Sequence, residues 1–194
     1  MKGGPFEGKR ATVGVLVLAA GLSRRMGAAK LALPLGGRPL IVATLAAVEA
    51  AGLPALLVTG AHAEAVRAAA PGIPAVHADD HALGLAESLK AGLCAAPAAW
   101  GAVLVVLGDM PFVQPGTLQA LAAELEAGAG AVVPVEGGRR GNPAGFARAC
   151  WPALMSLSGD QGARPLLDRL GVVDVPVDDP GVHRDIDVPG DLPG

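Results

Sequence analysis

Aromatic residues are scarce in this 194-residue sequence, which has three Phe, two Trp and no Tyr. Positive charge is not in excess either, since 15 Lys and Arg stand against 18 Asp and Glu for a formal net charge of -3. Proteins that bind nucleic acids usually carry clustered positive charge and aromatic side chains that stack on bases. The composition therefore argues against a nucleic-acid partner.

Cysteine is also rare, with Cys94 and Cys150 as the only two in the chain. Neither lies in a C-x-x-C pair or near a histidine, so a structural zinc site with four protein ligands is excluded. We expect two reduced thiols that pack as small hydrophobic side chains in a cytoplasmic protein. A disulfide and a nucleophilic cysteine are the alternatives.

Long apolar runs are absent as well. Residues 1–11 contain basic residues but no apolar stretch of the kind found in signal peptides, and we expect them to form a flexible tail. Residues 91–108 carry no charge over the length of a membrane span, but Pro97 and three glycines interrupt them. The sequence therefore predicts no membrane segment and a single domain over residues 12–194.

Short apolar runs alternate with longer helix-compatible stretches from Thr12 onward. Strands are predicted at residues 13–19, 55–59, 74–77, 102–107, 131–135, 145–147 and 172–177. Helices are predicted at residues 39–51, 63–70, 84–95, 115–127, 148–156 and 161–170. The runs at 13–19 and 102–107 are continuously apolar, which is typical of parallel strands buried on both faces. We expect an α/β fold, a doubly wound and mostly parallel sheet with helices on both faces, that binds ligands beyond the carboxyl ends of its strands.

A glycine-containing loop follows the first predicted strand, over residues 19–30. Backbone N–H groups of such a loop can approach an anion closely, and Arg25 and Lys30 can neutralise phosphate charge. The loop matches neither G-x-x-x-x-G-K-[ST] nor G-x-G-x-x-G. Lys30 stands out because the chain has only four lysines, two of them in the N-terminal tail. The loop is interpreted as a polyphosphate cradle, with an ordinary glycine turn and solvated charges as the alternative.

Two acidic segments are candidates for holding a metal ion. Asp109 follows the apolar run 102–107 in the string Gly-Asp-Met-Pro, and Asp187 lies in the acidic segment 185–192 near the C-terminus. A carboxylate at the carboxyl end of a central strand is well placed to hold Mg²⁺ against a triphosphate. From the residues alone, a turn residue before proline and a solvated acidic turn remain open alternatives.

His77 and His81 flank Asp79 and Asp80. This i, i+4 spacing would bring both imidazoles to one side only in a helix, whereas the segment is predicted to be a strand end followed by a turn. We therefore expect these side chains not to form a metal site.

The loop carries a longer motif. Residues 18–30 read Leu-Ala-Ala-Gly-x-Ser-x-Arg-Met-Gly-x-x-Lys, which resembles the signature of nucleotidyltransferases. Within the MobA-like NTP transferase family, it is most similar to the molybdenum cofactor cytidylyltransferase branch. That branch typically has Leu-Ala-Ala-Gly here, whereas the guanylyltransferase branch has Leu-Ala-Gly-Gly, so Ala20 favours CTP over GTP. The resemblance implies that the nucleotide is bound by Leu18, Ala19, Ala20, Gly21, Ser23, Arg25 and Lys30, with Asp109.

The resemblance extends to both acidic segments. It implies that Asp109 and Asp187 are ligands of Mg²⁺, with Mn²⁺ as a possible substitute. It also implies catalytic roles for Arg25, Lys30 and Asp109. The closing motif usually reads Asp-Thr-Pro, and this chain has Val188 in place of the threonine.

Residues 84–93 resemble the family segment G-M-x-x-S-L-x-A-G-L, with Leu85 in place of methionine. The resemblance implies that Gly84 and Ser88 contact the base and ribose. From the residues alone, Ser88 could equally belong to the first turns of an amphipathic helix.

Residues 138–143 and 157–164 resemble the motifs G-R-R-G-N-P and L-x-G-D-x-G-A-R of the molybdopterin branch. The resemblance implies that the acceptor is bound by Arg140, Asn142, Gly159 and Arg164. Solvated surface arginines are the alternative. Gln161 replaces the lysine that usually follows the aspartate of this loop.

Together these resemblances imply magnesium-dependent transfer of CMP from CTP to the terminal phosphate of molybdopterin, with release of pyrophosphate. A recipient molybdoenzyme or its insertion chaperone would be the transient protein partner. The alternatives are the same chemistry with GTP or with a sugar or alditol phosphate acceptor, and a nucleotide- or cofactor-binding protein without turnover.

Overall fold

The computed structural model describes residues 12–21, 29–160 and 162–186. Its strands are β1 Thr12–Ala19, β2 Pro34–Leu35, β3 Arg38–Pro39, β4 Ala55–Thr59, β5 Ala75–His77, β6 Trp100–Leu107, β7 Ala131–Glu136, β8 Arg139–Arg140, β9 Ala144–Ala147 and β10 Val173–Pro176. Its helices are α1 Leu40–Ala50, α2 Ala63–Ala69, α3 Leu85–Ala95, α4 Pro115–Glu126, α5 Trp151–Met155 and α6 Arg164–Leu167. Short 3-10 turns lie at Lys30–Ala32, His81–Leu83, Arg148–Cys150, Asp168–Leu170 and Pro180–His183.

Among the described residues, the main sheet has the strand order β10-β7-β9-β6-β1-β4-β5, and β8 pairs with β7. β1 is parallel to β4 and β6, whereas β9 runs antiparallel to both of its neighbours. The chain moves from β1 through β4 to β5 at one edge, and then returns to place β6 on the other side of β1. In doubly wound sheets, ligands bind at such a reversal, beyond the carboxyl ends of the two strands. The topology therefore points to the ends of β1 and β6.

β1 is buried on both faces, which explains its continuous apolar sequence. Val15 and Val17 belong to one core cluster, which also contains Ile41 of α1. Leu16 belongs to a second cluster, which contains Leu89 of α3. Side chains alternate between the two faces of a strand, so the two clusters lie on opposite faces of the sheet. The predicted α/β architecture with helices on both faces is confirmed.

The differences from the predicted elements are largest in the last third of the described chain. The predicted helix 148–156 is a 3-10 turn followed by the short α5, and of the predicted helix 161–170 only α6 is α-helical. Residue 161 itself lies outside the described residues. Gly159 and Gly162 lie close to the beginning of the predicted helix 161–170, and glycine has low helix propensity. The strands β2, β3 and β8 have two residues each, which is too short to give a periodic signal.

Both cysteines are free thiols, as predicted, but they differ in burial. Cys94 is exposed, so the prediction that it packs as a buried side chain is wrong. Cys150 is half-buried, and its Sγ donates to the carbonyl oxygen of Gly130 at 3.2 Å. Burial raises the pKa of the Cys150 thiol, because desolvation disfavours the thiolate. In the described part of the chain, no helix is both long and apolar enough to cross a bilayer.

The segment after β10 is fastened to the start of α4 by a buried carboxylate. Asp179 is 2% exposed. Its Oδ2 accepts from the backbone N–H of Gln114 at 2.8 Å and from Thr117 Oγ1 at 2.6 Å, and its Oδ1 accepts from Gly181 N–H at 2.9 Å. A Cβ on Gly181 would clash with the carbonyl group of Phe112. This packing places the end of the described chain beside the loop between β6 and α4.

We expect Asp179→Ala to lower the free energy of unfolding by about 2–4 kcal/mol, because it leaves three donors at a buried site without their acceptor. The measurement is urea denaturation followed by circular dichroism. Asp178→Ala is the matched control, since Asp178 is exposed. Equal losses for the two variants would contradict a structural role of the Asp179 carboxylate.

Candidate active site

Lys30 and Asp109 meet beyond the carboxyl ends of β1 and β6. Lys30 Nζ lies 2.8 Å from Asp109 Oδ2. Lys30 comes from the 3-10 turn before α1 and is only 8% exposed, and Asp109 lies two residues after the end of β6. A buried ammonium group is rarely found without an anionic partner. The structure thus joins two of the residues that were predicted to be catalytic.

The second oxygen of the same carboxylate is available to a metal ion. Asp109 Oδ1 is buried and has no hydrogen-bond partner among the described residues. A buried carboxylate oxygen without a partner is unfavourable, and it is the kind of ligand that Mg²⁺ takes. The described residues contain no group of three or more His, Cys, Asp and Glu able to hold a metal ion. Asp109 therefore fits a divalent cation whose other ligands are water, substrate phosphates or a carboxylate outside the described residues.

The backbone around Asp109 is held from three sides. Gly108 N–H donates to the carbonyl oxygen of Leu18 at 2.9 Å, and Gly108 carbonyl oxygen accepts from Thr44 Oγ1 at 2.9 Å. Ile186 N–H donates to the carbonyl oxygen of Asp109 at 3.0 Å. β1, α1 and the segment at Ile186 therefore hold the backbone that carries the carboxylate.

The predicted nucleotide segment is partly described. Residues 18–20 at the end of β1 are buried, and Gly21 is exposed. Gly60 packs against this turn: a Cβ on Gly60 would lie 2.6 Å from the Ala20 carbonyl oxygen and 2.7 Å from His81 Cγ. Only a residue without a side chain fits between them.

Three predicted site residues lie outside the described residues, namely Ser23, Arg25 and Asp187. Their roles stay predictions. The described chain ends at Ile186, one residue before Asp187 and hydrogen-bonded to Asp109.

The two histidines singled out in the sequence pack against each other. The rings of His77 and His81 meet edge to face with centroids 5.7 Å apart. His81 Nδ1 lies 2.8 Å from the carbonyl oxygen of Ala78. This contact ties the ring to the turn that leads into α3.

The N-terminus of α3 is covered by a loop from the predicted acceptor side. Gly84 has φ 126°, and a Cβ on it would clash with the carbonyl group of Gly159 and lie 2.7 Å from the Asp160 nitrogen. The N–H of Ala86 donates to the Gly159 carbonyl oxygen at 3.1 Å. Gly84 and Gly159 were predicted to serve different substrates, and the structure brings them into direct contact.

Ser88 is 3% exposed within α3. It lies one turn before Gly92, where a Cβ would meet Val58 Cγ2 at 2.8 Å and Leu16 Cδ1 at 3.1 Å. Burial on a helix that packs against the sheet agrees with the alternative of a structural serine. The contact between Ser88 and a base stays a prediction.

A cavity of about 310 Å³ opens beside Leu107 and Met110, close to the Asp109 turn. Arg140, Asn142 and Arg164 line it. Three of the four residues predicted to bind the acceptor therefore share one cavity next to the predicted metal ligand. The fourth, Gly159, lies against α3 instead of in the cavity lining.

The Asn142 side of this cavity is fixed by the C-terminal segment. Asn142 N–H donates to the carbonyl oxygen of Val182 at 2.9 Å, and Gly141 N–H donates to that of Pro134 at 2.9 Å. A Cβ on Gly141 would lie 2.6 Å from Val182 Cγ2. The 3-10 turn that Asp179 anchors thus also forms a wall of the cavity.

Arg140 lies in the cavity lining with its guanidinium engaged by two carboxylates. Its Nε donates to Asp174 Oδ1 at 2.7 Å, and its Nη1 donates to Asp168 Oδ1 at 2.6 Å. The hydrogen bonds to Asp174 and then to Asp168 raise the pKa of Arg140 further. All three side chains are exposed to solvent, which screens the attraction.

Sequence reasoning missed Thr44, Asp179, Asp168 and Asp174. Asp179 had a local signal, because an aspartate directly before a proline is typical of the start of a helical turn. The other three act on residues far away in the sequence, for example 64 residues for Thr44 and 34 for Asp174. No local pattern predicts those contacts.

The sequence matches the MobA-like NTP transferase domain over residues 15–175. The chain belongs to the MobA-like NTP transferase family. The matched range contains Lys30, Asp109 and the residues of the two predicted acceptor motifs. This confirms the nucleotidyltransferase class that the motifs predicted.

Part of the chain is also similar to curated proteins that are more than twice its length. The bifunctional protein GlmU of Pelobacter propionicus is 42% identical over 146 residues, which cover 70% of this chain and 30% of that protein. The chain thus spans less than a third of the length of that relative.

Solved structures match almost the whole chain. Rv0371c from Mycobacterium tuberculosis H37Rv has 31% identity and a TM-score of 0.84, with 94% of this chain and 96% of that chain covered. A complex of Rv0371c with manganese has 30% identity and a TM-score of 0.80, covering 93% and 95%. The molybdopterin-guanine dinucleotide biosynthesis protein A from Archaeoglobus fulgidus has 25% identity and a TM-score of 0.70, covering 92% and 94%.

We expect Gly84→Ala to destabilise the protein more than Gly128→Ala. Both glycines have positive φ, 126° and 105°, but a Cβ meets nothing within 4 Å at Gly128. Backbone strain alone costs about 1 kcal/mol, so the excess loss at Gly84 measures the clash with Gly159. Urea denaturation gives the stabilities, and amide hydrogen exchange at Ala86 reports its bond to Gly159. Equal losses with unchanged exchange at Ala86 would contradict the packing of this loop on α3.

Proposed function

We propose that the chain transfers CMP from CTP to the terminal phosphate of molybdopterin, giving molybdopterin cytosine dinucleotide and pyrophosphate. The observation that carries the proposal is the position of the cavity lined by Arg140, Asn142 and Arg164. It opens beside the Asp109 turn, where Lys30 and a buried carboxylate oxygen lie. An acceptor in this cavity would have its phosphate close to a nucleotide bound beyond β1.

The reaction forms one bond and breaks one. An oxygen of the acceptor phosphate attacks the α-phosphorus of CTP, and the bond to the bridging oxygen of the β-phosphate breaks, so that pyrophosphate leaves with the electron pair. The second pKa of a phosphate monoester is about 6, so the attacking group is already largely ionised near neutral pH. No general base is needed, and catalysis consists of positioning and charge neutralisation.

Among the described residues, Lys30 and Asp109 would provide the positioning and the charge neutralisation. Lys30 places an ammonium group where negative charge develops, and its ion pair with Asp109 fixes its position. Asp109 Oδ1 and Asp187 would hold Mg²⁺ or Mn²⁺, which when bound neutralises charge on the triphosphate. The manganese complex of Rv0371c supports a divalent metal ion in this family. Arg25 and the N–H groups of residues 19–21 would bind the leaving pyrophosphate.

Recognition of cytosine would rest on Ala20 and Gly84, while the contact from the buried Ser88 is supported by the resemblance alone. The Leu-Ala-Ala-Gly string supports CTP, since it is the form typical of the cytidylyltransferase branch. The protein offers few aromatic side chains, so the base would be held by backbone groups of the β1 turn and of the α3 N-terminus. The product would pass to a recipient molybdoenzyme or its insertion chaperone.

A second candidate is the same transfer from GTP. The likeness to the molybdopterin-guanine dinucleotide biosynthesis protein A of A. fulgidus favours it. Leu85 stands where the family segment usually has methionine, and this departure weakens the inference of CTP from the resemblance.

A panel of nucleotides and acceptors tests the function. With Mg²⁺ and molybdopterin, we expect the dinucleotide to form at least about tenfold faster from CTP than from GTP, ATP or UTP, a ratio that one or two hydrogen bonds to the base supply. Product is identified by mass spectrometry and pyrophosphate is measured in parallel. Faster turnover of GTP would select the second candidate, and turnover only of a sugar or alditol phosphate would replace the acceptor. No product from any pair would overturn the transfer.

We expect Asp109→Asn to lower kcat by about 100-fold or more, because it removes an anionic ligand at the site where transition-state charge is neutralised. Mn²⁺ affinity, measured by electron paramagnetic resonance, should fall at least about tenfold. Asp79→Asn is the matched control, because that side chain is 95% exposed. Circular dichroism checks that the variants are folded. Unchanged Mn²⁺ affinity in the folded Asp109→Asn protein would contradict the metal assignment.

A further inference from the structure

Arg140 reaches across strand β7. It lies in β8 opposite Val135 of β7, whereas Asp174 lies in β10 opposite Val133. Val135 pairs with both strands, so β8 and β10 flank β7 on opposite edges. Val133 and Val135 point to the same face, and Arg140 crosses that face to bind Asp174 Oδ1 and Oδ2 at 2.7 and 3.4 Å.

This contact and the bond to Asp168 form a cluster that we call the arginine triad: Arg140, Asp168 and Asp174. The triad joins two chain segments that both line the cavity. Arg140 belongs to the first acceptor motif, whereas Asp168 follows α6, which begins at Arg164 of the second motif. The triad therefore links the two motifs through side-chain contacts.

The charge of Arg140 is more than balanced within the triad. One guanidinium faces two carboxylates, and its Nε, Nη1 and Nη2 atoms all donate to them. Two-point binding of a guanidinium by a carboxylate is the strong and directional form of this ion pair. An anion that approaches the triad meets a net charge of about -1, so Arg140 adds no attraction for a phosphate.

Arg164 differs from Arg140 in this respect. It lines the same cavity, and among the described residues no carboxylate oxygen lies within 4 Å of its guanidinium. Its positive charge is therefore available to an anionic ligand in the cavity. The two arginines of the acceptor motifs thus have different electrostatic surroundings.

From these contacts we infer that Arg140 is a positioning residue and that Arg164 binds the phosphate of the acceptor. Arg140 holds the first motif against the α6–β10 segment, and this fixes where Arg164 stands in the cavity. The assignment rests on the proposed function only in taking the acceptor to be a phosphate monoester. It departs from the family resemblance, which implies that Arg140 contributes directly to acceptor binding.

The experiment is a titration of the protein with inorganic phosphate, followed through the ¹⁵N–¹H signals of the arginine Nε groups. Signals are assigned with the variants Arg140→Gln, Arg164→Gln and Arg169→Gln. We expect the Arg164 signal to shift on titration, while the Arg140 signal keeps the position of a group bound to Asp174. Arg164→Gln should weaken phosphate binding about tenfold or more, as expected for the loss of a charge-assisted hydrogen bond.

A positioning role for Arg140 predicts a second effect, which is measured at Arg164. Arg140→Gln, and the double variant Asp168→Asn with Asp174→Asn, should both reduce the phosphate-induced shift of Arg164, even though the double variant removes two negative charges. Arg169→Gln should leave that shift unchanged, because Arg169 is an exposed neighbour of Asp168 that does not line the cavity.

Two results would overturn the assignment. One is a phosphate-induced shift of the Arg140 signal that grows in the double variant, since released Arg140 would then bind the anion itself. The other is the absence of a shift at both arginines. The titration uses neither CTP nor molybdopterin, so it remains informative if the substrate panel finds another donor or acceptor. With an active enzyme, Arg164→Gln should raise KM for the acceptor and leave KM for the nucleotide unchanged.

Discussion

The buried ion pair between Lys30 and Asp109 is the interaction on which the rest of the site depends. An ammonium group that is 8% exposed would lose several kcal/mol of hydration without a partner. Its carboxylate partner lies 79 residues later in the chain and 2.8 Å away in space. The 3-10 turn Lys30–Ala32 therefore lies against the end of β6. With Oδ2 bound to Lys30, the second carboxylate oxygen is buried and has no hydrogen-bond partner among the described residues.

Two glycines of the predicted site make contacts too close to admit a side chain. Gly84 meets Gly159 at the start of α3, and Gly141 meets Val182 at the cavity wall. Packed interiors move between discrete arrangements more easily than they deform continuously. A shift of the loop at Gly159 would therefore move the start of α3 directly, because no flexible side chain lies between Gly84 and Gly159 to absorb it.

The sheet and the places of Lys30 and Asp109 after two of its strands could be predicted from the sequence because their signals are local, whereas the ion pair between them was not predicted. A continuous apolar run identifies a doubly buried strand, and Asp109 directly follows such a run. The surroundings of Arg140 could not be predicted, since its partners come from β10 and from the turn after α6, and surface aspartates are common everywhere. The exposure of Cys94 was also missed. Free cysteines are usually buried, but Cys94 lies at an exposed position of α3. Local patterns thus locate the candidate site residues, whereas long-range contacts decide how their charges are balanced.

The hydrogen bond from Ile186 N–H to the Asp109 carbonyl oxygen joins segments that are synthesised at different times. The chain leaves the ribosome from its N-terminus, so β1, Lys30 and β6 are available for packing well before residues 179–186 emerge. Until then the Asp109 carbonyl group and the start of α4 lack their partners from the C-terminal segment. The nascent protein therefore has a sheet before it has a finished site. The cavity wall and the Asp109 turn therefore gain these contacts only after residues 179–186 have emerged.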